Sequence, residues 1–241
     1  MSLPEAKPLT VASPSHPMER HNLAKRAVCE GIGTAMLLAT VVGSGIMAEE
    51  LSAGNVALAL LANALATGAG LIAIILTFGS ISGAHLNPLV SLSEALLGRL
   101  PRRELAPYLL AQLLGAFAGV ALAHGMFHQP LFAASEQVRA GAPLMLGEFI
   151  ASFGLISVVL GCAQKGLETT AIAVGAYITA AYWFTSSTSF ANPAVTLARA
   201  ATDTFAGIRP MDTPGFIVAQ LLGAGAATLL FRWLSNQERR P

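Results

Sequence analysis

The sequence predicts an all-α membrane protein: a bundle of six transmembrane helices plus two re-entrant half-helices, arranged as an inverted repeat. Three observations carry this. Of the 241 residues, 54% are hydrophobic and only 11% charged, with a mean hydropathy of +0.62, where soluble domains carry about 25% charge. Asn-Pro occurs in two similar settings, Ser82-Gly83-Ala84-His85-Leu86-Asn87-Pro88-Leu89-Val90-Ser91 and Thr188-Ser189-Phe190-Ala191-Asn192-Pro193-Ala194-Val195-Thr196. The order glutamate, Asn-Pro, Ala-Gln-Leu-Leu-Gly-Ala also occurs twice, from Glu30 and from Glu148.

In chain order, residues 1–25 form a polar, Pro-bearing arm without the apolar centre of a signal peptide, expected to be disordered and cytoplasmic. The first span runs from Ala27 to Ala48, apolar except for Glu30, and measures about 33 Å as a helix, enough to cross a bilayer. The second covers Asn55 to Phe78. The first Asn-Pro piece follows, with an apolar run to Leu97 too short to cross. Arg99, Pro101, Arg102 and Arg103 mark an interface, and the third span runs from Leu105 to Phe127. Residues 128–142 are a polar linker between the halves. The fourth span covers Pro143 to Ala163, the fifth Thr169 to Phe184, and the second half-helix is expected to reach Phe205. The sixth span runs from Gly215 to Leu234, before a charged tail, 235–241. The repeats are therefore residues 26–127 and 143–234.

Each Asn-Pro piece reads as a loop turning into a helix. Asn is a favoured N-cap, and Pro suits the first helical position, where its missing N–H costs nothing. Three spans per half is an odd number, so the halves face opposite ways and the broken elements meet near the bilayer midplane. Lys7, Arg20, Lys25, Arg26, Arg99, Arg102, Arg103, Lys165, Arg232, Arg239 and Arg240 fall on one side, and only Arg139, Arg199 and Arg209 on the other. The positive-inside rule then places both termini in the cytoplasm, for a multi-pass protein of the cell (inner) membrane. The net charge of +1 argues against a nucleic-acid partner. Cys29 and Cys162 supply neither a disulfide framework nor a metal cluster and read as small packing residues. No metal site, no cofactor and no catalytic residues are expected.

The paired Asn-Pro-Ala-type boxes, Ser82-Gly83-Ala84-His85-Leu86-Asn87-Pro88, the two span-opening glutamates and the two Ala-Gln-Leu-Leu-Gly-Ala segments resemble the aquaporins of the major intrinsic protein family, from about Arg26 to Leu234. The resemblance implies a right-handed bundle whose half-helices meet at the centre. It implies a homotetramer in membrane lipid, each protomer keeping its own pore for water and small uncharged solutes. It favours a structural role for Glu30 and Glu148, bracing the re-entrant loops, although ionisable groups at membrane depth ordinarily suggest an ion or proton site. Two half-helix N-termini meeting at one point carry roughly +0.5 charge each and repel cations, an account already given for aquaporin-type pores. Asn87 and Asn192 would donate to a passing solute, and carbonyls of Gly83, Ala84, His85, Thr188, Ser189 and Phe190 would accept along the pore. His85 is expected to face the pore on its cytoplasmic side.

The sequence departs from the family at the boxes. Leu89 replaces Ala in the first, which should alter packing more than polarity. After Asn192-Pro193-Ala194 comes Val195, where the family usually has Arg. Anchoring on the Asn-Pro pairs places the selectivity filter at Thr67, Ala180, Ser189 and Val195, with Tyr182 the alternative to Ala180. Arg199, one turn outward, is expected to shape the vestibule rather than to replace the missing cation. A filter lacking Arg and a large ring should be wide, passing water, glycerol-like polyols and metalloid hydroxides such as arsenite, As(OH)3. The Val195 and Thr67 pattern resembles an AqpS-like bacterial subgroup associated with arsenic resistance. A narrow water-selective aquaporin is the nearest alternative. A proton- or ion-coupled transporter would need Glu30, Glu148 or His85 to titrate in the pathway, and an intramembrane enzyme would need a nucleophile with its base.

Overall fold

The computed structural model describes residues 22–237; most of the expected arm (1–21) and the last tail residues (238–241) lie outside the described residues. Among the described residues eight α-helices follow in order: α1 Leu23–Leu51, α2 Val56–Ser82, α3 Pro88–Leu96, α4 Arg102–Met126, α5 Ala142–Cys162, α6 Leu167–Phe184, α7 Pro193–Arg199 and α8 Thr213–Gln237. Short 3₁₀ turns at Ala163–Lys165 and Pro210–Asp212 precede α6 and α8.

Helix starts follow local chemistry. The Asn22 and Asn55 side chains accept from Ala24 N and Leu58 N, capping α1 and α2. Most boundaries fall within a turn of those expected. α2 runs one turn further, to Ser82, where Gly83 takes a left-handed φ of 91° and turns the chain inward. The second half-helix is a correction: α7 stops at Arg199, not Phe205. Residues 200–208 turn back instead, the Ile208 N–H donating to the Arg199 carbonyl. α3 and α7, at nine and seven residues, reach about 13 and 10 Å and cannot cross a bilayer.

Five helical segments among the described residues are long and apolar enough to cross a membrane: α1, α2, α4, Ala142–Lys165 and Pro210–Leu234. α6 carries the fifth expected span with 18 residues, about 27 Å, and its apolar character is diluted by Glu168, Thr169, Thr170, Tyr177 and Thr179. Leu65, Leu114, Leu146, Leu222 and Leu229 are each more than half exposed, the outer surface of a bundle meant to face apolar surroundings.

The packing repeats with the sequence. α1 lies against α4 and α2, and α5 against α8 and α6, while α2 and α6 join the halves. α3 and α7 both lodge between α4 and α8 and touch one another. The glycines of the repeated Ala-Gln-Leu-Leu-Gly-Ala segment make these crossings close. A Cβ on Gly115 would overlap the Gly31 carbonyl of α1, and one on Gly223 would overlap the Phe149 carbonyl of α5. In membranes, small residues at a crossing give the backbone-to-backbone contact that stands in for a hydrophobic driving force.

Candidate functional site

The two loops that enter the bundle are held by the two glutamates. Glu30 and Glu148 are fully buried. The Glu30 carboxylate accepts from Ser82 Oγ at 2.7 Å, His85 N at 2.9 Å, Leu86 N at 2.7 Å and Gln112 Nε2 at 2.8 Å. That of Glu148 accepts from Phe190 N and Ala191 N, both at 2.9 Å, and from Gln220 Nε2. Gln112 and Gln220 each reach on to the half-helix hydroxyl of their own half, Ser91 Oγ and Thr196 Oγ1. A short-range backbone ladder is impossible in an irregular loop, so buried carboxylates satisfy its N–H groups instead. Tyr108 adds a bond in the first half only, donating to the Ser82 carbonyl at 2.8 Å.

Both loops share a conformation that no residue type announces. Counting back from each Asn, residues at minus one, minus three and minus four have positive φ: Leu86, Ala84 and Gly83 in one loop, Ala191, Ser189 and Thr188 in the other. Non-glycine residues there cost of order 1–3 kcal/mol each and persist only when their surroundings hold them. The glutamate hydrogen bonds do so here. Polar composition could not have revealed this pattern; only the twofold repetition of the boxes hinted at it.

At the centre the halves are tied reciprocally. Asn87 Nδ2 donates to the Ala191 carbonyl at 2.7 Å, and Asn192 Nδ2 donates to the Leu86 carbonyl at 2.8 Å. The Asn oxygens cap the half-helices, Asn87 Oδ1 accepting from Leu89 N and Asn192 Oδ1 from Ala194 N and Val195 N. Each amide therefore keeps one N–H uncommitted by these bonds. Pro88 and Pro193 open α3 and α7. Leu89 is buried in an apolar cluster with Ile156, Leu160 and Ala227, whereas Ala194 packs into the main core.

One cavity of about 1070 Å³ runs past this centre. Glu94, Arg99, Gln164 and Arg232 line one end, Gly83, Ala84, His85, Asn87 and Asn192 the middle, and Thr67, Tyr182, Ser189, Phe190, Val195 and Arg199 the other. Thr188 is outside this lining, held in its turn by the Thr185 carbonyl and by Arg139, whose Nη1 donates to Thr188 Oγ1 at 3.4 Å. The His85 ring is spoken for by Ser91 Oγ at 3.0 Å and by the Tyr108 ring, 5.3 Å away. Ser189 Oγ is buried without a hydrogen-bond partner, a polar atom left for whatever enters.

Ala180 does not reach the cavity. It lies on the exposed face of α6 with Ala176, while Ala171, Val174, Ile178 and Tyr182 form the buried face. Two residues along a helix turn the side chain through about 200°, so Ala180 and Tyr182 point nearly opposite ways. Tyr182 lines the cavity there instead, its hydroxyl 3.3 Å from Thr67 Oγ1. The expectation that this end lacks a large ring is corrected accordingly.

The same end holds two cations that sequence reasoning did not bring together. Arg199 Nε donates to the Ala206 carbonyl and its guanidinium lies 3.4 Å above the Phe190 ring centre. Arg139, from the linker, sits 5.1 Å from the same ring and donates to the Gly207 and Phe205 carbonyls. Burial pulls the Arg139 pKa below the ordinary arginine value. The Phe190 ring itself leans edge-on against Phe216. Among the described residues, no group of three or more His, Cys, Asp or Glu side chains could hold a metal.

The family model described as Major intrinsic protein matches residues 18–166 and 145–241. The chain is 54% identical over 222 residues to "Aquaglyceroporin AqpS" of Rhizobium meliloti (strain 1021), covering 92% of this chain and 95% of that protein. It is 29% identical to "Aquaporin AqpM" of Methanothermobacter marburgensis, over 90% of this chain and 99% of the relative. The X-ray structure of the aquaglyceroporin from Plasmodium falciparum superposes with a TM-score of 0.72 at 22% identity, covering 87% of this chain and 96% of that one, a likeness of fold.

Proposed function

This chain belongs to the major intrinsic protein family, and from that premise we propose that it is a passive channel conducting water and small uncharged, hydroxyl-bearing solutes. The solute range we propose extends to glycerol and metalloid hydroxides such as As(OH)3. The single observation that carries the range is Val195: it lines the cavity directly after the second Asn-Pro-Ala box, with no cation at that position to narrow it. The aquaglyceroporin likeness at 54% identity supports the same class of solute.

The lining suits neutral solutes. Uncommitted N–H bonds of Asn87 and Asn192 donate at the centre, and Ser189 Oγ offers a partner at the end lined by Thr67 and Val195. The converging N-termini of α3 and α7 place positive potential between them, which opposes cations. The protein is a channel and not an enzyme. Glu30 and Glu148 act as braces, their oxygens occupied by loop N–H groups, which weighs against a proton-coupled transporter. Both termini are assigned to the cytoplasm of an inner-membrane protein by charge distribution. Four protomers are proposed to assemble, each with its own pore, through the exposed apolar faces.

The contact between Tyr182 and Thr67 favours a second reading, a narrower water-selective pore, because the ring and hydroxyl meet beside the lumen. Stopped-flow light scattering on proteoliposomes separates the two. The broad reading expects glycerol and As(OH)3 fluxes well above those of empty vesicles, and expects Val195→Arg to suppress them more than water. Passage of water alone, unchanged by Val195→Arg, would overturn it in favour of the narrow pore.

A further inference from the structure

We propose that Arg199, backed by Arg139, supplies the cationic barrier that the second box lacks at Val195, so that ion exclusion and pore width are set by different residues. This rests on the channel reading above and adds a specificity-determining residue to it. It also revises the expectation that Arg199 merely shapes the vestibule.

Four observations support it. Arg199 is 3% exposed, and what it lines is the same cavity as Ser189 and Val195. α7 ends at Arg199, one helical turn past Val195, and the chain doubles back so that the Ala206 carbonyl takes its Nε. The guanidinium is laid on the ring of Phe190, a residue of the same lining. Arg139 approaches the same ring from a different segment, anchored by the Gly207 carbonyl at 2.8 Å.

Among the described residues neither Arg199 nor Arg139 has a carboxylate in direct contact, and Glu148 acts on them only at longer range. The ion pairs among those residues are Arg26 with Glu104, Arg99 with Glu94 and Arg209 with Asp212. The neighbouring carboxylates are engaged elsewhere: Asp212 pairs with Arg209 and takes the Arg139 backbone N–H, and Glu148 holds Phe190 N, Ala191 N and Gln220. Unpaired charge away from bulk water is poorly screened and acts over several ångströms. A hydronium or metal cation entering this end therefore meets repulsion, and a neutral solute does not. Because the guanidinium is held over the Phe190 ring, a contact favourable in itself, and tied to the Ala206 carbonyl, it adds charge from one turn beyond position 195 and not at it.

The test uses full-length protein in liposomes, measuring proton flux with an internal pH dye under a potassium diffusion potential, and water permeability in the same vesicles. Arg199→Gln should raise proton flux per unit water permeability by about tenfold, and Arg199→Lys, which keeps the charge, should restore it nearly to wild type. Arg139→Gln should give a smaller rise in the same direction. Unchanged proton flux in an Arg199→Gln channel that still conducts water overturns the proposal. Should Arg199→Gln fail to insert, Arg139→Gln decides: a rise supports the proposal and no rise overturns it. Absence of water permeability in the wild type would instead overturn the channel reading.

Discussion

At the scale of single residues, the two buried glutamates show how a charge can be structural at membrane depth. Each has more than one donor pointed at it from a loop that cannot satisfy its own N–H groups. A carboxylate is an acceptor on both oxygens; an amide is not. Glu148→Gln would turn an NH₂ group towards either the Phe190 N–H or the Ala191 N–H. It is expected to destabilise the protein by about 2–3 kcal/mol, read as a lowered Tm in detergent with loss of water permeability. Glu30→Gln should behave alike, since Glu30 also takes two loop N–H groups. A Tm unchanged in both would mean that the loops are held by packing alone.

At the scale of helices, the repeated glycines decide how closely the bundle closes. Gly115 and Gly125 lie on the same helix, α4, but a Cβ at Gly115 meets the Gly31 carbonyl whereas one at Gly125 meets nothing within 4 Å. Gly115→Ala must push α1 and α4 apart, while Gly125→Ala removes a helix-weakening residue at no steric cost, worth up to about 1 kcal/mol. Thermal unfolding of the two variants should therefore move in opposite directions. The pair Gly223 and Gly225 on α8 makes the same contrast in the other half, and a matching pair of shifts would show that the repeat is energetic as well as geometric.

At the scale of the whole molecule, the halves are joined by the reciprocal Asn87–Ala191 and Asn192–Leu86 bonds, so each half completes the other's loop. The opposed arrangement also fixes which loops share a face. With Cys29 and Cys162 replaced by serine, Glu136→Cys should react with an impermeant maleimide added outside intact cells. Lys165→Cys should react only after permeabilisation. The reverse pattern would invert the orientation read from the lysine and arginine distribution.

Much of this was legible in the chain because it is written in residue types that have few other uses. An N-cap Asn followed by Pro starts a helix wherever it stands, and a glutamate inside an apolar span demands partners. A glycine in a repeated small-residue segment marks a close crossing. The order of these signals was enough to imply eight helices, their inversion and the meeting of Asn87 with Asn192. Other features depend on which way a backbone turns once it is packed. That α6 presents Tyr182 and hides Ala180 from the cavity is a matter of helix rotation against α2, and near the Asn-Pro anchors two residues separated opposite faces. The left-handed turns at Ala84, Leu86, Ser189 and Ala191 carry no glycine to announce them, being imposed by the glutamates. Arg139 and Arg199, 60 positions apart in the sequence, converge on Phe190 only because the linker and the 200–208 turn fold over the same end of the bundle. Local chemistry thus determined the elements and their opposed order. Tertiary packing alone decided where the charges at the pore's end stand, because that position is a sum of many weak orientations and no single residue encodes it.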